Sequence, residues 1–151
     1  MRVTEVRVTA GGKFPHPVED YSNLTSSVVL TAQIGPDEDA SKIAALLQQE
    51  AHRLVRRDRE RQTKELIEEA LREDRTRAAQ QALRRLAEPR RTIEAGAELW
   101  CYRNLVCDLE AIERDLKPAE DLGADIPPEE LEDALLAVRG LLAEARAELA
   151  R

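Results

Sequence analysis

The chain has 151 residues, 42% of them hydrophobic and 35% charged, and a net charge of -7 at neutral pH. That suits one domain, or a small domain with a helical extension, and the acidic balance excludes a generally basic nucleic-acid binder. Only four residues are aromatic (Phe14, Tyr21, Trp100 and Tyr102), so the core must be built largely from Ala, Leu and Val.

The charge is unevenly spread. Residues 1–52 carry 4 basic and 7 acidic side chains, a net of -3. Residues 53–91 carry 13 basic and 8 acidic, a net of +5. Residues 92–151 carry 6 basic and 15 acidic, a net of -9. One basic belt lies between two acidic parts, and the simplest expectation is that the belt and the acidic C-terminal part neutralise each other, within the chain or across a dimer. No apolar run approaches the ~20 residues a membrane span needs, and the N-terminus lacks a signal-peptide core. With two cysteines, Cys101 and Cys107, spaced for different helix faces, the chain reads as reduced and cytoplasmic.

Residues 2–9 (RVTEVRVT) alternate at Val6 and Val8 and predict a half-buried strand that Gly11-Gly12 ends. Residues 13–27 are rich in Pro, Ser, Asn and Asp and predict a loop. A second strand, Val28–Ile34, stops at Gly35-Pro36. The two strands are expected to pair antiparallel, and a two-stranded sheet needs a helix on one face. That helix should start near Asp39 or Ser41, with Ile43, Leu46, Leu47, Ala51, Leu54 and Val55 on the sheet.

From Ser41 to Glu88 the chain has no Gly and no Pro and consists largely of strong helix formers. Within it, Arg56 to Glu65 are all polar. A helix there is solvated on every side, broken, or covered by a partner, and Glu60–Lys64, Glu68–Arg72 and Glu73–Arg77 are placed to brace it as i,i+4 ion pairs. An apolar face resumes at Leu66. Pro89 breaks or restarts the helix, and a third helix is expected from about Arg90 to Leu116, with Ile93, Ala97, Trp100, Leu105 and Ile112 on its apolar side. A linker with two breakers leads to Pro127-Pro128. The last helix carries Leu131, Leu135, Val138, Leu142, Ala145 and Leu149 at heptad spacing, either as one helix of an antiparallel bundle or as an oligomer seam. The fold class is therefore α+β: a ββα unit over residues 1–55, then a helical hairpin or bundle with coiled-coil character over 56–151.

Chemistry-bearing residues are few. The 13–27 segment gathers Lys13, Phe14, His16 and Tyr21. The two aromatics either stack on bases, with Lys13 and Arg2 or Arg7 at phosphates, or anchor the segment to a small core. Arg53, Arg56, Arg57 and Lys64 lie near one helical side and could follow a phosphate backbone, although interleaved acids favour a solvated, ion-paired helix. An all-helical, metal-dependent nucleotide hydrolase would need carboxylate clusters facing one another around Mg²⁺. Glu65, Glu68, Glu69, Glu73 and Asp74, with Glu110, Glu113 and Asp115, are instead mixed with Arg on outward faces. His16 and His52 are the only histidines, and no zinc set, Gly-rich phosphate loop or Ser nucleophile elbow is present. No cofactor or metal is implied.

Gly11-Gly12, Tyr21-Ser22-Asn23 and the V-V-L-T-A run, followed by an acidic turn and an Ala/Leu helix, resemble the start of small proteins encoded by phages and prophages. The resemblance covers residues 3–55 and implies an origin on a mobile element. Together these features predict a non-catalytic interaction or scaffold protein. It would oligomerise through its helices, as a homo-oligomer, and present the 13–27 segment and the basic belt to a macromolecular partner, a protein or a second copy. Single-stranded nucleic-acid binding is the alternative, and an enzyme comes last.

Overall fold

The computed structural model describes residues 4–96 and 98–151, with the side chain of Leu99 also outside the description. The expectations for Arg2, Val3 and Ala97 lie outside the described residues. A two-stranded antiparallel sheet is followed by a long helix and three further helices, an α+β arrangement. The chain divides into two compact units, Met1–Glu68 and Glu69–Arg151, each of which is described by itself.

In the first unit, β1 (Glu5–Pro15) and β2 (Asn23–Gln33) pair along their whole length, from Glu5 opposite Gln33 to Pro15 opposite Asn23. Both strands are longer than the sequence pattern predicts. Gly11-Gly12 does not end β1. Gly12 keeps the inward phase of Val6, Val8, Ala10 and Phe14, while Gly11 fits a close approach. A Cβ at Gly11 would come within 3.0 Å of the Ser26 carbonyl oxygen and 3.1 Å of the Ser27 Cβ. Lys13 and Phe14 therefore belong to β1 and residues 23–27 to β2, which leaves a loop of residues 16–22 only.

Helix α1 (Ala40–Arg85) starts where expected, with the Asp39 carboxylate accepting the backbone N–H of Ser41 at 2.9 Å. Its N-terminal part lies under the hairpin. Val8, Ala10 and Ala51 form the buried cluster, joined by half-buried Val6, Leu30, Leu47 and Val55. Leu46, expected on the sheet, is two-thirds exposed. The helix does not break at Arg56–Glu65.

The second unit contains α2 (Ala87–Glu94), α3 (Leu99–Leu122) and α4 (Pro128–Leu149), packed with the C-terminal part of α1. Pro89 sits in the first turn of α2, where its missing N–H leaves no gap, so the chain restarts there as expected. The predicted third helix is two elements. It is interrupted at Gly96, whose φ of +71° ends α2. It then runs past Leu116 and through Pro118 to Leu122. Burial of Leu116 and Ala119 on the α4-facing side offsets the backbone bond that Pro118 forgoes. Pro128 opens α4 as anticipated.

The heptad residues of α4 are not an oligomer seam. Leu131, Leu135, Val138 and Leu142 are buried in one cluster with Leu109, Ile112 and Leu116 of α3 and Ala79 and Ala82 of α1. Ala145 is buried beside Ile93, Tyr102 and Leu105, with Leu149 packed against them. The chain's own helices occupy the seam, because α3 offers apolar residues at matching three- and four-residue spacing.

Candidate interaction surface

The first unit carries the residues the sequence singles out, and the hairpin orders them. Val8 and Ala10 meet Ala51. Further along, the Ser26 hydroxyl, opposite Gly12, donates to the Asp58 carboxylate at 2.6 Å, and the Arg59 guanidinium lies 5.0 Å from the Phe14 ring centroid. The hairpin thus reaches past the apolar stripe of α1 and sits on the first half of the polar run. Ala51, Val55, Asp58 and Gln62 make one helical stripe at spacings of four and three, apolar at the start and polar at the end. This is why the first unit extends to Glu68 rather than ending at Val55.

Asp58 anchors that contact. It accepts from Ser26, from Arg61 at 2.8 Å and from Gln62 at 2.8 Å. The Ser26 hydroxyl is the main cause that holds its carboxyl below the ordinary aspartate range, with Arg61 next. Ser26 is the buried polar residue of the core, 3% exposed. The sequence hint to both was a lone Ser at an inward position between Leu24 and Val28, which needs a polar partner across the interface.

The aromatic pair in the 13–27 segment divides. Phe14 is buried under Arg59 and unavailable for base stacking, which corrects its assignment as a contact residue. Tyr21 is fully exposed and takes φ +65°, a left-handed conformation that costs a bulky residue about 1 kcal/mol or more. His16 closes the loop. Its backbone N–H donates to the Ser22 carbonyl at 3.1 Å, and its Nδ1 accepts the N–H groups of Val18 at 3.3 Å and Glu19 at 2.9 Å. It is a loop-forming residue with both local bonds made. Lys13 is exposed on the outer face of the sheet, opposite Thr25.

The basic belt divides too. Arg53 is held by Glu50 in a two-pronged bond at 2.7 and 2.5 Å, which lowers the Glu50 carboxyl. Arg61 pairs with Asp58, and its guanidinium lies 3.9 Å from Glu65. In the second unit, Arg72 pairs with Asp125, and Arg85 with Asp115 at 3.2 Å. Arg75 donates to the carbonyls of Gly123 at 2.9 Å and Leu122 at 3.3 Å, closing the end of α3. Arg139 and Arg146 of α4 meet Glu113 and Glu110 of α3. Arg72, Arg77 and Arg85 of the belt are thus paired with acids of the second unit, while among the described residues Arg84, Arg90 and Arg91 have no carboxylate within salt-bridge distance. The predicted braces Glu60–Lys64, Glu68–Arg72 and Glu73–Arg77 do not form; Asp125 takes Arg72 and Asp74 takes Arg77, whereas Lys64 stays without an acid among the described residues. Among the described residues, exposed Arg56, Arg57 and Lys64 have no carboxylate within salt-bridge distance. With Thr63 and Glu60, they line shallow grooves along α1.

Among the described residues no group of three His, Cys, Asp or Glu side chains is arranged to hold a metal ion. Glu110, Glu113 and Asp115 are spent on ion pairs. A separate cleft of about 290 Å³ in the second unit is lined by Pro89, Trp100, Cys101, Asn104 and Asp108, among others. The Trp100 indole N–H donates to Glu98 at 2.7 Å. No described helix is long and apolar enough to cross a membrane. No family model matches this chain, and no curated protein and no solved structure matches it.

Proposed function

We propose that the chain is a non-catalytic interaction protein, in which the first unit presents a charged face to a macromolecular partner and the second unit is a self-contained helical support. The observation that carries this is the set of cations left over. Arg56, Arg57 and Lys64 stay exposed and unpaired among the described residues, while Arg53 and Arg61 are taken up by carboxylates and Arg59 lies over Phe14. Exposed cations without partners on an ordered helix are free to meet an acidic protein surface at low cost in desolvation. The likeness of residues 3–55 to phage and prophage proteins supports a role on a mobile element, acting in the cytoplasm of a host.

A second reading, single-stranded nucleic-acid binding, rests on Tyr21, whose ring stands fully exposed in a backbone conformation the loop must hold against strain. The mixed signs along the grooves, where Glu60 accompanies the cations, favour a protein partner over a polyphosphate.

The test is a charge reversal. Arg56→Glu, Arg57→Glu and Lys64→Glu together, on the full chain as bait, are expected to abolish capture of a discrete partner that the wild type retains. Equal capture by both removes the reading. Fluorescence anisotropy with labelled oligothymidylate separates the alternative: nucleic-acid binding weakens steeply between about 50 and 200 mM salt and falls on Tyr21→Ala.

A further inference from the structure

The hairpin has two strands and hence two open edges, and they are not alike. β1 carries Glu5, Arg7 and Lys13, a Gly-Gly step and Pro15. These are the devices that discourage edge-to-edge pairing. β2 reads NLTSSVVLTAQ, eleven residues with no charge, no Pro and no Gly. A long, regular, uncharged edge strand offers alternate N–H and C=O groups to another strand with nothing to repel it.

The space beside that edge is also unfinished. A groove runs between β2 and α1, lined by Ser27 and Val28 of the strand and by Leu54, Arg57, Glu60 and Lys64 of the helix. Val28 and Leu54 at its floor are only half-buried. Val29, on the opposite face of the strand, is 48% exposed. No residue of β1 lines this groove, so it opens at the β2 edge.

We infer that β2 is a self-pairing edge: two copies of this chain join β2 to β2 antiparallel, about a two-fold axis near Val28 and Val29, making one four-stranded sheet. The occupant is a second copy because the edge is complementary to itself. Antiparallel pairing of β2 with its own image brings no charged residue opposite a like charge. The groove carries Arg57 and Lys64 beside Glu60, so a two-fold partner brings both signs to both signs. Pairing would cover the half-buried Val28 and Leu54 and turn a marginal two-stranded sheet into one of four strands. This goes beyond the function proposed above and puts the self-association expected from the sequence at the sheet edge instead of the α4 seam.

Two substitutions at cross-strand neighbours test it, both on the outer face and both changing the charge equally. Val29 and Thr9 lie opposite each other in the register. Sedimentation velocity of the full chain over a concentration series is expected to show a dimer, with dissociation constant raised at least tenfold by Val29→Glu and unchanged by Thr9→Glu. Hydrogen exchange on the wild type is expected to show alternate β2 amides protected in concentrated samples and released on dilution, with the β1 edge indifferent. A monomer at the highest soluble concentration overturns the inference. So does a dimer in which Val29→Glu has no effect and the β2 amides exchange freely. The charge reversal touches Arg57 and Lys64 of the same groove, so pairing is read on Val29→Glu and Thr9→Glu, which leave α1 unchanged, and partner capture is read on the wild type. A monomeric wild type that still captures its partner sinks the pairing and spares the function, and the converse result does the opposite.

Discussion

The two units use one vocabulary of residues to opposite ends. The second unit closes its core on itself. Leu109, Ile112, Leu116, Leu135 and Val138 are all buried within it, and Arg85, Arg139 and Arg146 are joined to acids on neighbouring helices. The first unit buries little. Its apolar cluster is Val8, Ala10 and Ala51, and it relies on one aromatic under an arginine and one hydroxyl on a carboxylate to seat the rest of the hairpin. The larger buried apolar side chains are concentrated in the second unit, and the open sheet edge lies in the first. The difference teaches where to look for work in a chain without catalytic groups: in the part that does not finish its own packing.

That contrast can be broken first at Phe14. Phe14→Ala removes the largest buried side chain of the hairpin and is expected to cost about 3–5 kcal/mol. Because the first unit has little else to lose, calorimetry should then show its transition vanish while that of the second unit persists. Loss of both together would mean that the units do not unfold separately. Leu135→Ala in the second unit is expected to cost about 2–5 kcal/mol and to lower only the later transition, with the unit still folded at room temperature.

The smallest effect is electrostatic and belongs to the hairpin seat. Asp58 is held below its ordinary pKa in the folded chain, so its contribution is complete above the unfolded carboxylate value near 4 and is lost as pH falls through the lower folded value. The gap in melting temperature between wild type and Asp58→Asn should therefore be present at neutral pH and close on acidification. Ser26→Ala should narrow the same gap by removing the main cause of the depression. A gap that does not change with pH would show that Asp58 acts by shape and not by charge.

Local patterns foretold the parts of the fold that local forces decide. Alternating Val6 and Val8, the Asp39 cap, the Pro89 restart, Pro128 at the start of α4 and the heptad run of α4 all appear where the residues say. Gly11-Gly12 misled because two glycines usually end a strand. Here they face Ser27 and Ser26 in the ladder, and only the pairing partner reveals that at Gly11 a missing side chain is what fits. Pro118 misled in the same way, since burial on the far side of α3 outweighs one backbone bond. In the candidate surface, exposed Tyr21 and the free cations at Arg56, Arg57 and Lys64 were on the list that composition supplied. Arg59 and Asp58, which lie in the same polar run, were not, because their partners Phe14 and Ser26 are far away in sequence.

The sequence by itself determined a ββα start, a helical remainder and a basic belt, since periodicity, breakers and charge are properties of neighbours along the chain, and it left open whether the helix runs unbroken through Arg56–Glu65. Only the tertiary structure decided what covers what. The heptad seam faces the chain's own α3, the polar run carries the end of a hairpin, and within the belt, among the described residues, Arg53, Arg61, Arg72 and Arg85 find acids while Arg56, Arg57 and Lys64 do not. The physical reason is that burial and charge pairing are settled between residues distant in sequence, and an arginine or a leucine reads the same whether or not its partner arrives.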